Sequence, residues 1–159
     1  MYDIDRILLE LGLFEFENEI PDNVEQYSLQ SVNDNDGWEI GTGEFQTWYD
    51  RGVREHDFSI IKLPKESETY RFITENRLCR TRVLKLHSKS CYSWHQDDSK
   101  RLHLALQTND KCFLVVENKI IRIKSDGFPF LIDTTKFHTA VNANLENFTR
   151  IHLVGCVYA

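Results

Sequence analysis

RLHLALQTNDKCFLVVENKIIRIKSDGFPFLIDTTKFHTAVNANLENFTRIHLVGCVY, residues 101–158, reads as one short β-prone run after another. "LHLALQT", "CFLVVEN", "IIRIKSD", "FPFLID", "FHTAVN" and "RIHLVGCVY" are rich in branched and aromatic residues, and turn-forming residues separate them. Many short strands at near-even spacing mean a β-sandwich or a barrel. The first run also assigns faces. On a strand, Arg101, His103, Ala105 and Gln107 share one side and Leu102, Leu104, Leu106 and Thr108 the other, so one face is apolar core and the other carries cationic groups.

Toward the N-terminus, "RTRVLKL" (80–86) continues the strand pattern and "SETYRFITENRL" (67–78) reads as a helix. "EQYSLQSV" and "DFSIIKL" are β-prone pieces around a Gly/Asp/Asn-rich stretch between Asn33 and Gly43. Asp3 to Leu13 places Ile4, Ile7, Leu8 and Leu11 at helical spacing, with Asp3 as the cap and Gly12 near the stop. One amphipathic helix is expected to buttress the sheet. A chain of 159 residues, 41% hydrophobic and without a linker, repeat or low-complexity stretch, fits a single domain, 1–159. Residues 1–79 would supply the N-terminal helix and supporting strands, and 80–159 the core.

The acidic start "MYDIDRILLELGLFEFENEI" is neither a secretion signal nor a membrane span, so a cytoplasmic protein with no membrane partner is expected. A net charge of −6 argues against a nucleic-acid binder. Arg77, Arg80, Arg82 and Lys85 form a local basic cluster, which is either a solvated sheet edge or, through Arg80 or Arg82, a pocket mouth that attracts an acidic substrate. Cys79, Cys91, Cys112 and Cys156 lack zinc-finger spacing and read as free thiols, with Cys112 and Cys156 acting as small buried hydrophobes. Cys91 as a soft ligand would suit zinc better than iron.

Against this background, His95-Gln96-Asp97 is followed 43 residues later by His138 and 12 beyond that by Arg150. Six histidines and twelve aspartates in 159 residues give roughly 0.45 His-x-Asp triplets by chance, so the triplet alone is weak and its setting decides. On an extended strand His95 and Asp97 would point the same way while Gln96 looks away. Two imidazoles and one carboxylate can hold Fe(II) on one face and leave about three of six positions open. If "ANLEN" turned a hairpin centred on Asn144, His138 and Arg150 would lie opposite each other, and a guanidinium there could clamp a carboxylate bidentately. His56 and His87 read as ordinary half-exposed residues. His152 is either a hydrogen-bonded core residue or a supporting partner of the site. Trp38, Trp48 and Trp94 could wall the mouth, Trp94 best of the three because it adjoins His95, unless they are core.

The stretches "SWHQDDSKRLHLALQTN" and "GFPFLIDTTKFHTAVNANLENFTRIHLV" resemble the aspartyl/asparaginyl β-hydroxylase family of 2-oxoglutarate- and Fe(II)-dependent dioxygenases, from about Arg80 onward. The resemblance implies a mainly β fold with flanking helices, a double-stranded β-helix or cupin-like jelly-roll with the metal in its mouth. It makes His95 and His138 the iron-binding histidines and Arg150 the partner of the distal carboxylate of 2-oxoglutarate. Arg101 and His103 would line the co-substrate or substrate pocket, and Ser93 could contact the co-substrate. Some relatives lack a carboxylate at the Asp97 position; its presence here favours a full triad, with Asp98 as the competing candidate. The implied cofactors are Fe(II), 2-oxoglutarate and O2. The implied reaction is hydroxylation of a C–H bond, in an Asp or Asn side chain of a peptide or in a small amino-acid-like molecule. Two rival readings are a cupin-type metal site with non-oxygenase chemistry and a non-catalytic interaction domain.

Overall fold

In the computed structural model, which describes residues 1–157, the β-rich half is one long hairpin wound on itself. Its strands are β4 (Cys79–Leu86), β5 (Ser90–Cys91), β6 (Lys100–Gln107), β7 (Cys112–Val116), β8 (Lys119–Ile121), β9 (Phe130–Ile132), β10 (His138–Asn142) and β11 (Arg150–Val157). Tyr158, which closes the last β-prone run, lies outside the described residues. β7 and β8 meet at a two-residue turn, where Glu117 takes a positive φ of 54°. From that tip outward β6 pairs with β9, β5 with β10 and β4 with β11, all antiparallel. Successive turns of the coil then pair β11 with β6 and β10 with β7. Two facing sheets result: β4-β11-β6-β9, extended by β1 (Gln26–Ser28) on the β4 side, and β5-β10-β7-β8. This nesting is a double-stranded β-helix, the jelly-roll that manages sheet edges by doubling the sheet. A small ribbon of β2 (Gln30–Ser31) and β3 (Ile60–Ile61) stands beside it.

Helices cover the outer face of the larger sheet. α1 runs Ile4–Glu17, capped by Asp3, whose side chain accepts from the Arg6 amide at 3.0 Å. It does not stop at Gly12. A helical Gly costs about 1 kcal/mol against Ala, which is outweighed because the next turn buries Phe14 against Tyr27, rings stacked 5.8 Å apart, and Asn18 closes the end by donating to the Phe14 carbonyl. α2 is a single turn, Gln46–Tyr49, and α3 (Glu68–Glu75) starts at Ser67, whose hydroxyl accepts from the Tyr70 amide. Ile7, Leu11 and Phe14 of α1, Phe72 and Ile73 of α3, and Leu104, Leu106 and Leu153 of the sheet form one apolar cluster. Thus the leucine face of β6 meets the helices, as its alternation predicts. A second, smaller cluster, including Leu86, Ala105, Leu114, Ile132 and Ala140, fills the space between the two sheets.

The hairpin expected around Asn144 does not form. β10 and β11 lie in different sheets, because "ANLEN" is the corner by which the chain crosses over. Asn142 pins that corner, donating to the carbonyls of Leu86 and Phe148 at 2.8 Å each, and Asn144 is buried in an amide cluster with Asn109 and Asn142. The solvated-edge reading of Arg80 and Arg82 is also wrong. β4 is an interior strand between β1 and β11, and both arginines are buried. No helix among the described residues is long and apolar enough to cross a membrane.

Candidate active site

His95 and His138 are backbone partners. The His95 amide donates to the His138 carbonyl at 3.1 Å, and the His138 amide to the His95 carbonyl at 2.9 Å. Directly opposed residues of an antiparallel pair share a face, and the two rings lie 4.3 Å apart between centroids. The residue opposite His138 is therefore His95, where the hairpin reading placed Arg150. Asp97 does not continue a strand as expected. It sits in the loop after the His95 bridge, and its amide is tied to the Thr134 carbonyl at 2.8 Å, which turns the carboxylate back toward both rings.

The carboxylate stands 3.4 Å from His138 Nε2 and 3.8 Å from His95 Nε2. One donor atom from each of the three residues lies within 4.8 Å of the others. Each imidazole is oriented from behind, since His95 Nδ1 faces the Ser93 carbonyl at 2.6 Å and His138 Nδ1 the Lys136 carbonyl at 2.9 Å. A carbonyl accepts only, so Nδ1 carries a proton and Nε2 faces the cluster, where that of His138 donates to Asp97 when protonated and offers a lone pair when it is not. Such carbonyl-anchored imidazoles are the usual arrangement behind metal-ligating histidines. Asp98 is exposed and outside the cluster, which singles out Asp97 as the carboxylate that faces the imidazoles.

Around the triad a cavity of roughly 610 Å³ opens between the sheets. Arg101 and His103 line it from β6, Arg150 from β11, Arg80 and Arg82 from β4, and Ser93 from the mouth. Although His138 and Arg150 are in opposite sheets, both point inward, so the crossover brings them to one cavity by a different route. Ser93 is exposed. His152 does not line the cavity but supports it, its Nδ1 lying 3.1 Å from His103 Nδ1. Trp94 does not wall the cavity either; it is half exposed and stacks outward on Phe137. Tyr92 and Phe45 take that role.

Charge in the cavity is unevenly matched. Burial pushes Asp97 up, and this is outweighed by its hydrogen bond to His138 and by the Arg101 guanidinium, which hold it well below the usual carboxylate range. Burial lowers His138, but Asp97 and the Lys136 carbonyl prevail and raise it. His103 is pushed down to about 3, by burial first and then by Arg150 and Arg101. His152 falls well below its ordinary value for the same two kinds of reason, burial and Arg150. Both are neutral imidazoles at physiological pH.

Glu55, a residue that sequence reasoning did not single out, organises the cationic wall. It sits in a 3-10 turn, Glu55–Asp57, far from the strands in sequence, yet is 1% exposed. Its carboxylate accepts from Arg101 Nη2 at 2.7 Å, Arg80 Nη1 at 3.3 Å, Ser99 Oγ at 3.0 Å and the Cys156 thiol at 2.8 Å. Cys156 is thus a hydrogen-bond donor as well as a packing residue. Arg80 reaches this turn from a strained backbone with φ 48°, and also donates to the carbonyls of Gly41 and Gly43 at 3.0 Å. Gly41, at φ +96°, approaches the Phe58 ring too closely for a side chain. The signal that could have found Glu55 was the count of arginines: buried guanidiniums need a carboxylate.

A sequence profile of the aspartyl/asparaginyl β-hydroxylases matches residues 19–158. The chain belongs to the aspartyl/asparaginyl β-hydroxylase family. The match begins well before Arg80, so the matched region spans β1, Glu55 and α3. No curated protein matches the chain in sequence. Solved structures similar to it include a cupin superfamily protein from Desulfitobacterium hafniense, 11% identical, covering 50% of this chain and 67% of that one, TM-score 0.38. A predicted oxalate decarboxylase from Thermotoga maritima is 17% identical, with coverages of 60% and 76% and TM-score 0.39. A cupin-2 domain protein from Shewanella frigidimarina is 11% identical, with coverages of 76% and 100% and TM-score 0.37. All three scores are below 0.5, and the jelly-roll assignment rests on the strand nesting. Membership and fold together support a metal-dependent hydroxylase or cupin.

Proposed function

We propose that the chain is a 2-oxoglutarate- and Fe(II)-dependent hydroxylase acting on an Asp or Asn side chain of a peptide or on a small amino-acid-like molecule. The observation that carries this is a metal-shaped donor set facing an unpartnered guanidinium. His95, Asp97 and His138 fit a divalent iron: two imidazole nitrogens and one ionised oxygen converge, with both rings fixed by backbone carbonyls. Arg150 is 1% exposed and lines the same cavity, and its guanidinium forms no hydrogen bond or ion pair among the described residues; its Nε and Nη1 are buried without a partner. A buried cation in that condition calls for an anionic ligand.

When bound, iron with 2-oxoglutarate and dioxygen supplies oxidation of a C–H bond. The protein supplies the rest. His95 and His138 offer Nε2, Asp97 offers one oxygen, and Glu55 holds Arg101 where its Nε lies 3.5 Å from Asp97 Oδ2, keeping that carboxylate ionised. Arg150 would take the distal carboxylate of the co-substrate, neutral His103 a polar contact beside it, and Ser93 one at the mouth. The apolar floor of Leu114 and Ala140 excludes water. The test is succinate formation from 2-oxoglutarate by the Fe(II)-supplemented protein, with iron stoichiometry measured in parallel. One iron per chain and succinate that disappears in His95→Ala and His138→Ala are expected; iron binding with no succinate under any condition would favour a cupin without oxygenase chemistry.

A further inference from the structure

Four arginines line the cavity, and their partners divide them into two kinds. Arg80 and Arg101 share Glu55, and Arg101 also approaches Asp97. Arg82 and Arg150 have no carboxylate. Arg82 is 7% exposed, sits mid-strand on β4, and makes one hydrogen bond, from Nη1 to the neutral amide of Gln26 at 3.1 Å; its Nε is buried without a partner. Burial, with Arg80 next to it in effect, pulls Arg82 down to about 9, so it remains a cation at neutral pH, and among the described residues no carboxylate forms an ion pair with it; Asp97 acts on it only from a distance. In register Arg82 lies opposite Val154, four residues along β11 from Arg150, or about 13 Å of strand. The two free guanidiniums thus occupy separate stations on one wall.

The rim has the opposite sign. Glu25, Glu44 and Asp98 line the entrance and are exposed. A molecule with a positive end and a negative end matches both the rim and the depth. We propose that Arg82 is the substrate's carboxylate site, and that the substrate is a free α-amino acid, held by its α-carboxylate on Arg82 with its ammonium group toward the acidic rim. This deepens the hydroxylase reading and rests on it, since the cavity is taken as that enzyme's substrate pocket. A blocked peptide lacks both charges and cannot neutralise Arg82 through its backbone.

Calorimetric titration tests this, using the Mn(II)-loaded protein and the free L-amino acids, each compared with its C-terminal amide and with a blocked Gly-Asp-Gly peptide. At least one free amino acid is expected to bind, its amide about 50-fold more weakly or worse, and Arg82→Met to produce a loss of similar size. Arg82→Lys, which keeps the charge if Met perturbs folding, should recover part of it. Amides binding as well as acids, binding of the blocked peptide alone, no binding by any amino acid, or full affinity in Arg82→Met would each overturn the proposal. Parallel titration with 2-oxoglutarate separates the two readings: Arg150→Met should act chiefly on 2-oxoglutarate, Arg82→Met chiefly on the amino acid. Were 2-oxoglutarate not to bind the wild-type protein, the hydroxylase reading would fail while the amino-acid titration still reported on Arg82.

Discussion

At the scale of the residue, the site is controlled by where protons and guanidiniums sit. Arg150 is buried without a counter-ion, so an anion that reaches it gains a charge-assisted contact in a poorly hydrated setting. Arg150→Met should weaken 2-oxoglutarate binding by about 50-fold, roughly 2.3 kcal/mol, while leaving Mn(II) affinity within about threefold; calorimetry with each ligand checks this. His138 has a raised pKa in the metal-free protein, with burial opposing and Asp97 prevailing. A proton on Nε2 competes with a metal there. Mn(II) affinity is therefore full above that raised pKa and falls as the pH drops through it, with proton release on binding that scales with buffer ionisation enthalpy. A pH-independent affinity from pH 8 to 6 would contradict this.

At the scale of the element, one turn outside the jelly-roll decides whether the cationic wall holds. The 3-10 turn exists to deliver Glu55 between Arg80 and Arg101, and Ser99 and Cys156 complete its hydrogen bonds. Removing one partner of a buried ion pair leaves an uncompensated charge, at about 3–5 kcal/mol. Glu55→Gln should lower stability by about 3 kcal/mol in urea denaturation and weaken Mn(II) binding, because Arg101 would then be free to pull on Asp97. Equal stability of this variant and the wild type would show that the two arginines find other partners. The helices depend on their apolar stripe in the same additive way; α1 extends to Glu17 because Phe14 has a place to pack, which outweighs the local preference of Gly12.

For the whole molecule, the distribution of buried imidazoles sets the response to acid. His103 and His152 are neutral in the fold, with His103 at about 3 and His152 well below its ordinary value, while in the unfolded chain both titrate near 6.5. Between those values the unfolded state binds more protons, so stability rises with pH: it is full above about 6.5 and is lost progressively as the pH falls toward 3. His138 acts in the opposite direction, its contribution being present below its unfolded pKa and lost as pH rises through the folded one. With two imidazoles against one, the metal-free protein should have a lower urea midpoint at pH 5 than at pH 7.5, and His152→Leu should reduce that difference. An unchanged difference in the variant would mean that His152 takes up its proton equally in the folded and unfolded chain.

The succession of strands along the chain and the apolar face of β6 were legible in the sequence because they are local: alternation on a strand depends on neighbours two residues away, and turn residues mark where each run stops. The family pattern around His95 and His138 was legible for the same reason. What sequence periodicity could not supply was which sheet each strand joins. "ANLEN" reads equally as a hairpin turn or as a corner, and only the coiling of the whole β-hairpin, with Asn142 bonded to Leu86 and Phe148, makes it a corner. That choice set His95 opposite His138, sent Arg150 to the far wall, buried Arg80 and Arg82 in an interior strand, and drew in Glu55 from a distant turn. Periodicity reports which side of a strand a residue faces; pairing across the chain, which is fixed by burial and hydrogen bonding of the assembled sheets, decides what that side faces.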